Sequence, residues 1–204
     1  MLFTNTYKEL EKNSFYLYKS KGSKFLAYSF MVKNEIEIKH YLQELKLEYP
    51  DATHHCYAYV LNMDKSASRA NDDGEPSNTA GKPILRQIQS ANLTNILVVV
   101  IRYFGGTMLG VGGLIEAYGI AALECLKLSG SIEKYIKEKF LLSCPFGFEN
   151  EIYRIGKQFE LEILPINHTQ QFCAEIKIPL LQSNGFKQQL AQHYNIQQQY
   201  IGIE

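Results

Sequence analysis

Ile96-Leu97-Val98-Val99-Val100-Ile101 is an unbroken run of six aliphatic residues, nearly all β-branched. A strand with one wet face alternates apolar and polar side chains, whereas a run without polar interruption requires cover on both faces. The pattern predicts a strand over 94–103 buried on both faces. Six residues fall far short of the roughly 20 that a membrane-spanning helix needs. A glycine-rich turn follows. Beyond it, Leu114, Ile115, Tyr118, Ala121, Ala122, Cys125 and Leu126 recur on one face of a helix. Buried strand, glycine turn and amphipathic helix give a mixed chain, and with the hairpin and the βαββαβ second half described below the expected class is α+β.

The remaining first half parses into further strands and helices. Phe15–Leu17 and 24–32 alternate around Lys21-Gly22-Ser23, which predicts a hairpin. Asn34 with Glu37 forms a capping-box variant ahead of Ile38, Tyr41, Leu42 and Leu45, and Pro50 closes that helix. Residues 54–61 are aromatic and β-branched enough for a strand. The stretch 62–81 has almost no large apolar side chains and is expected to be a loop. Pro83 suits the first turn of a short helix reaching about Gln89.

Texture changes near residues 131–137, which predicts two domains, 1–135 and 136–204. The second parses as strand 138–144, helix 149–159, strand 161–166, strand 171–178, helix 183–194 and strand 196–203. That βαββαβ order is ferredoxin-like.

With 204 residues, 46% hydrophobic and 21% charged, the chain has an ordinary globular composition. Lys+Arg and Asp+Glu are both 21, a balance that speaks against a strongly basic nucleic-acid module. The first twenty residues hold no signal-peptide core, so a cytoplasmic location is expected, without membrane association. Cys56, Cys125, Cys144 and Cys173 form no C-x-x-C pair and read as small buried thiols.

Three segments carry side chains capable of chemistry. In His54-His55-Cys56, neighbouring strand residues face opposite ways, so only His54 and Cys56 share a face; hydrogen bonding is favoured over metal binding. In the segment 71–83, Asp72, Asp73, Glu75, Ser77, Thr79 and Lys82 sit on a long polar loop. Such a loop is either a solvated surface with a turn at Asp73-Gly74, or a binding element. Its carboxylates do not match a calcium-loop spacing. In Arg102-Tyr103-Phe104-Gly105-Gly106 through Gly110, Gly112 and Gly113, a strand-to-helix turn could offer backbone N–H groups to an anion. Alternatively, the glycines permit a tight turn and close packing. The spacing fails both the Walker and the dinucleotide patterns, because Val111-Gly112 and Ile115 stand where those require Lys-Ser/Thr and glycine. No nucleophile with an adjacent base is visible, and no catalytic residue, metal or cofactor is assigned.

Taken together, His54–Tyr59, Asn71–Ser77, Thr79–Ile84, Arg102–Gly106 and Gly110–Leu114 with Ala117-Tyr118 resemble the IMPACT family, including its bacterial YigZ-type, two-domain members. The resemblance covers roughly residues 15–130. It implies a first domain similar to domain 2 of ribosomal protein S5 and a second similar to domain V of elongation factor G. Eukaryotic relatives regulate translation under amino-acid starvation by binding a protein partner. The chain departs from the family pattern at Asn78, where glycine is common, and at Met108, where lysine is common.

The resulting expectation is a non-enzymatic protein that binds the translation machinery or a protein partner through loop 71–82 and turn 104–113. Direct, weak RNA or phosphate binding is the first alternative. A hydrolase-type site around His54, Glu75 and Arg102 is the second. Glu75 and Arg102 are expected to contribute to binding while leaving stability nearly unchanged.

Overall fold

The computed structural model describes residues 5–166 and 168–204. The chain divides into two compact units, Tyr7–Lys134 and Tyr135–Glu204, with Asn5 and Thr6 joining the latter. Asn5 is tied there by the Ile136 amide, which donates to its carbonyl at 2.9 Å.

The first unit is built on a five-stranded antiparallel sheet. Its strands are β2 (Ser14–Ser20), β3 (Ser23–Met31), β4 (His54–Leu61), β5 (Ala67–Asn71) and β6 (Ile96–Tyr103), in the order β2-β3-β6-β4-β5. The aliphatic run forms the central strand β6, and Ile96 through Ile101 are fully buried. Helix α1 (Glu35–Glu48) packs on one face, with Ile38 and Leu45 against Leu97, Val99 and Ile101. Helices α2 (Gly81–Ser90) and α3 (Gly110–Ser129) cover the other, placing Ile84, Ile88, Leu114 and Tyr118 over Val98 and Val100. Alternate residues of one strand thus fill two different cores, which is why none can be polar.

The loop expected over 62–81 is shorter than predicted, because β5 occupies Ala67–Asn71. An outermost strand pairs through its backbone and buries little, so Ala-Ser-Arg-Ala-Asn carries no apolar signature. A two-stranded ribbon of β1 (Thr6–Leu10) and β7 (Ser131–Tyr135) was likewise unforeseen; every β7 side chain is exposed. Helix α3 starts at Gly110, four residues before the predicted apolar face. Its first turn stands clear of the core and has no hydrophobic stripe to betray it.

The second unit runs β8 (Lys137–Cys144), α4 (Glu149–Gln158), β9 (Ile163–Ile166), β10 (Phe172–Pro179), α5 (Leu180–Leu190) and β11 (Gln197–Ile203). Its antiparallel sheet has the order β11-β8-β10-β9. Phe140, Leu142, Ile152, Ile155, Ile176 and Phe186 form its core. Helix α5 ends four residues before the expected 194, and its last turn unwinds through Gln192 and His193 amides bonded to Gln189 and Leu190 carbonyls. Tyr194, the last residue of the expected helix, is 92% exposed. Among the described residues, no helix is long and apolar enough to cross a membrane.

Candidate functional site

Asp72 organises the loop between β5 and α2. Its Oδ1 accepts from the amides of Ala80 (3.0 Å) and Gly81 (2.8 Å), and its Oδ2 from Asn78 (2.8 Å). Residue Ala80 at the helix cap has no side-chain oxygen, so the cap comes from eight residues upstream. A carboxylate at a helix N-terminus satisfies orphan donors and meets the positive end of the dipole. Burial works against the Asp72 charge, but the three amides and nearby Lys82 prevail and hold its pKa below the usual carboxylate range.

The chain reverses at Asp73 (φ +40°) and Gly74 (φ +88°), and again at Asn78 (φ +65°). The left-handed backbone at 78 suits glycine or asparagine, and Asn78 meets that requirement. Glycine at 81 has a separate cause. A Cβ there would meet the Asn71 backbone at 2.5 Å, so only glycine lets the loop close onto α2.

Glu75 reaches from this loop into the interior. Its Oε1 accepts from Arg102 Nη1 at 2.6 Å and from the Tyr118 hydroxyl at 2.8 Å, and His54 Nε2 lies 3.8 Å away. The register sets His54 opposite Arg102 on β4 and β6, so both arrive from adjacent strands. Glu75 and Arg102 are 8% and 6% exposed. The guanidinium carbon of Arg102 lies 5.6 Å from the ring centroids of both Phe25 and Phe104, within cation–π range. Its Nε is buried without a hydrogen-bond partner among the described residues. His54 Nδ1 donates to the Asp73 carbonyl at 2.8 Å. The Cys56 thiol lies 3.0 Å from the Asp72 carbonyl and 3.3 Å from the Tyr118 hydroxyl. Burial pushes both Cys56 and Tyr118 upward, keeping thiol and phenol protonated.

His54, Glu75 and Arg102 therefore converge, as the sequence allowed, but they face one another rather than solvent. Asp73 does not join them, because its carboxylate accepts from the His55 amide at 2.6 Å. Thr79 is buried and donates to the Pro76 carbonyl at 2.6 Å, while Ser77 and Lys82 are exposed. The Tyr103 hydroxyl donates to Asp51 at 3.0 Å. Tyr118 was missed as a member of the cluster; a lone phenol on an otherwise aliphatic helix face was its signal. Among the described residues, no group of three or more His, Cys, Asp or Glu side chains could hold a metal ion.

The glycine turn is divided in role. A Cβ on Gly105 would fall 1.9 Å from the Gly22 carbonyl carbon, and the Gly105 amide donates to Ser23 Oγ at 3.2 Å, so here glycine serves contact between two backbones. Gly106, Gly110 and Gly112 are exposed, and Leu109 caps α3 without a side-chain bond. Around them Phe104, Met108 and Val111 are 52%, 86% and 59% exposed.

This pairing of a clamped polar loop with an open glycine turn falls within a recognised class: the profile of the Impact N-terminal domain matches residues 21–126. An IMPACT family member of Haemophilus influenzae is 36% identical over 162 residues, covering 78% of this chain and 77% of its own. YvyE of Bacillus subtilis is 32% identical over 173 residues, covering 85% and 80%. YigZ of Escherichia coli is 29% identical over 186 residues, covering 90% and 91%. A crystal structure described as that of a hypothetical protein superposes with a TM-score of 0.74 at 27% identity, covering 98% of both chains. The chain belongs to the IMPACT family and is of the YigZ type.

Proposed function

We propose that this protein is a cytoplasmic, non-enzymatic binding protein of the translation machinery, whose contact surface is loop 71–82 with turn 104–113. One observation carries the reading. The chemically capable side chains of the site are paired inward, whereas the turn presents apolar tips and open backbone outward. Glu75, Arg102 and Tyr118 act as a clamp that fixes the surface instead of touching a substrate. Partly exposed Phe104 and Val111 and nearly free Met108 offer the apolar anchors that protein interfaces use at their centres.

The link to translation rests on the family. We read the two units as domains, the first similar to domain 2 of ribosomal protein S5. The second is ferredoxin-like and similar to domain V of elongation factor G. The hydrolase alternative is less well supported, since His54 spends Nδ1 on a carbonyl and Glu75 is engaged by Arg102 and Tyr118.

Sedimentation of the full chain with purified ribosomes through a sucrose cushion tests the reading. The double variant Phe104→Ser/Met108→Ser should lower the pelleted fraction by about fivefold, equivalent to losing roughly 1 kcal/mol of contact. Unchanged pelleting moves the surface elsewhere, and absence of the wild-type chain from the pellet overturns the ribosomal reading.

A further inference from the structure

Helix α1 covers only part of its sheet face. It stacks Tyr41 on Phe30 at 4.1 Å and brings Tyr49 to 6.0 Å from Tyr28, both partners lying on β3. The outermost strand β2 extends beyond it. Phe15 and Leu17, on the same face, remain 46% and 40% exposed, and the Phe15 ring lies 4.8 Å from that of Tyr28. Phe15 pairs with Tyr28, Leu17 with Leu26 and Lys19 with Lys24. Alternation along β2 and β3 therefore puts aromatic, aliphatic and basic pairs in one column.

The lysine pair is the anomaly. Like charges directly opposite on neighbouring strands repel. Lys21 adds a third charge at the turn, where it holds φ +45°, a conformation that lysine rarely adopts. Lys19, Lys21 and Lys24 are all exposed, and none forms an ion pair among the described residues. On this side the Asp51 carboxylate is engaged by Tyr103, and the Glu48 carboxylate is engaged by Tyr49, close enough to help raise the pKa of Tyr28. A chain of zero net charge thus gathers, at the turn end of this column, three cations without an ion pair among the described residues, with the Leu17–Leu26 pair between them and the half-exposed Phe15 ring.

We infer that the β2–β3 face is a binding platform for single-stranded RNA. The lysines take backbone phosphates, and the Phe15–Tyr28 rings take an unstacked base. Charge complementarity selects a polyanion, and the ring selects one whose bases are free to stack. Only the choice of RNA over DNA rests on the translation reading above.

Fluorescence anisotropy of the full chain with a labelled single-stranded RNA, its duplex and the equivalent DNA strand tests this. Three phosphates on a single strand give a salt slope of about −2, or roughly twentyfold weaker binding between 50 and 200 mM. Lys19→Gln/Lys24→Gln should reduce the slope to about −0.7 and melt no lower than wild type. Phe15→Ala should weaken binding about fivefold or more with the slope unchanged. The platform is overturned by absence of binding at 50 mM salt, by wild-type affinity in either variant, by equal binding of duplex and single strand, or by a lower melting point of the lysine variant. Tighter DNA binding overturns the RNA assignment alone, and ribosome sedimentation through Phe104 and Met108 is read independently.

Discussion

Loop 71–82 and the turn end of the β2–β3 hairpin both carry charged side chains, yet the fold uses them in opposite ways. In the loop, Asp72 and Glu75 find three amides, a guanidinium and a phenol inside the protein. At the hairpin, Lys19, Lys21 and Lys24 are exposed and form no ion pair among the described residues. The lesson concerns what a charged residue signifies. A charge with buried partners organises backbone, and its removal is read in stability. A charge without partners is available to something else, and its removal is read in binding.

The largest expected effect lies at Glu75. Glu75→Ala leaves the Arg102 guanidinium buried without its counter-charge, which typically costs about 3–5 kcal/mol. Urea denaturation measures this, and replacing both residues with leucine should recover much of the loss. A cost below about 1 kcal/mol for Glu75→Ala would erase the contrast between loop and hairpin. The burial of this ion pair argues against the expectation that Glu75 and Arg102 can be removed with stability nearly unchanged.

Asp72 comes next. Asp72→Ala removes the acceptor for three amides and should cost about 2 kcal/mol, near the upper end for a helix cap. Its folded pKa lies below the ordinary value, so the unfolded chain takes up the proton first. The stabilisation is therefore full above the ordinary aspartate range and is lost as pH falls through the folded pKa. Acid titration of the melting temperature should show a shallower fall in Asp72→Ala than in wild type.

The smallest effect sharpens the comparison from the exposed side. Met108→Ser should change stability by less than about 0.5 kcal/mol, because an 86% exposed side chain has little burial to lose. Thermal melting checks this, and a larger loss would mean that the glycine turn is held by contacts of its own.

Much of this architecture is legible in the chain. The β6 run announces a strand covered twice, and the Asn34 cap and Pro50 mark the limits of α1. The second unit's order of strands and helices follows from its periodicity. What escaped notice had little side-chain signal to give. Strand β5 is held by backbone pairing, β7 buries nothing, and the first turn of α3 is glycine and solvent. The site was half legible. Its capable residues were evident from their types, but not that Glu75 turns inward, that Tyr118 meets it, or that Asp73 turns away to His55.

By itself the sequence determined local preferences and the burial of particular faces, because periodicity, caps and turn residues act over a few positions. Only the tertiary structure decided which charges found partners. Glu75 meets Arg102 across 27 positions, and Gly105 meets Gly22 across an even longer span, through strand register and backbone approach. Such meetings depend on how strands align and how closely layers pack. Neither residue's immediate neighbours carry that information, and whether an ionised group ends in a clamp or on a platform follows from it.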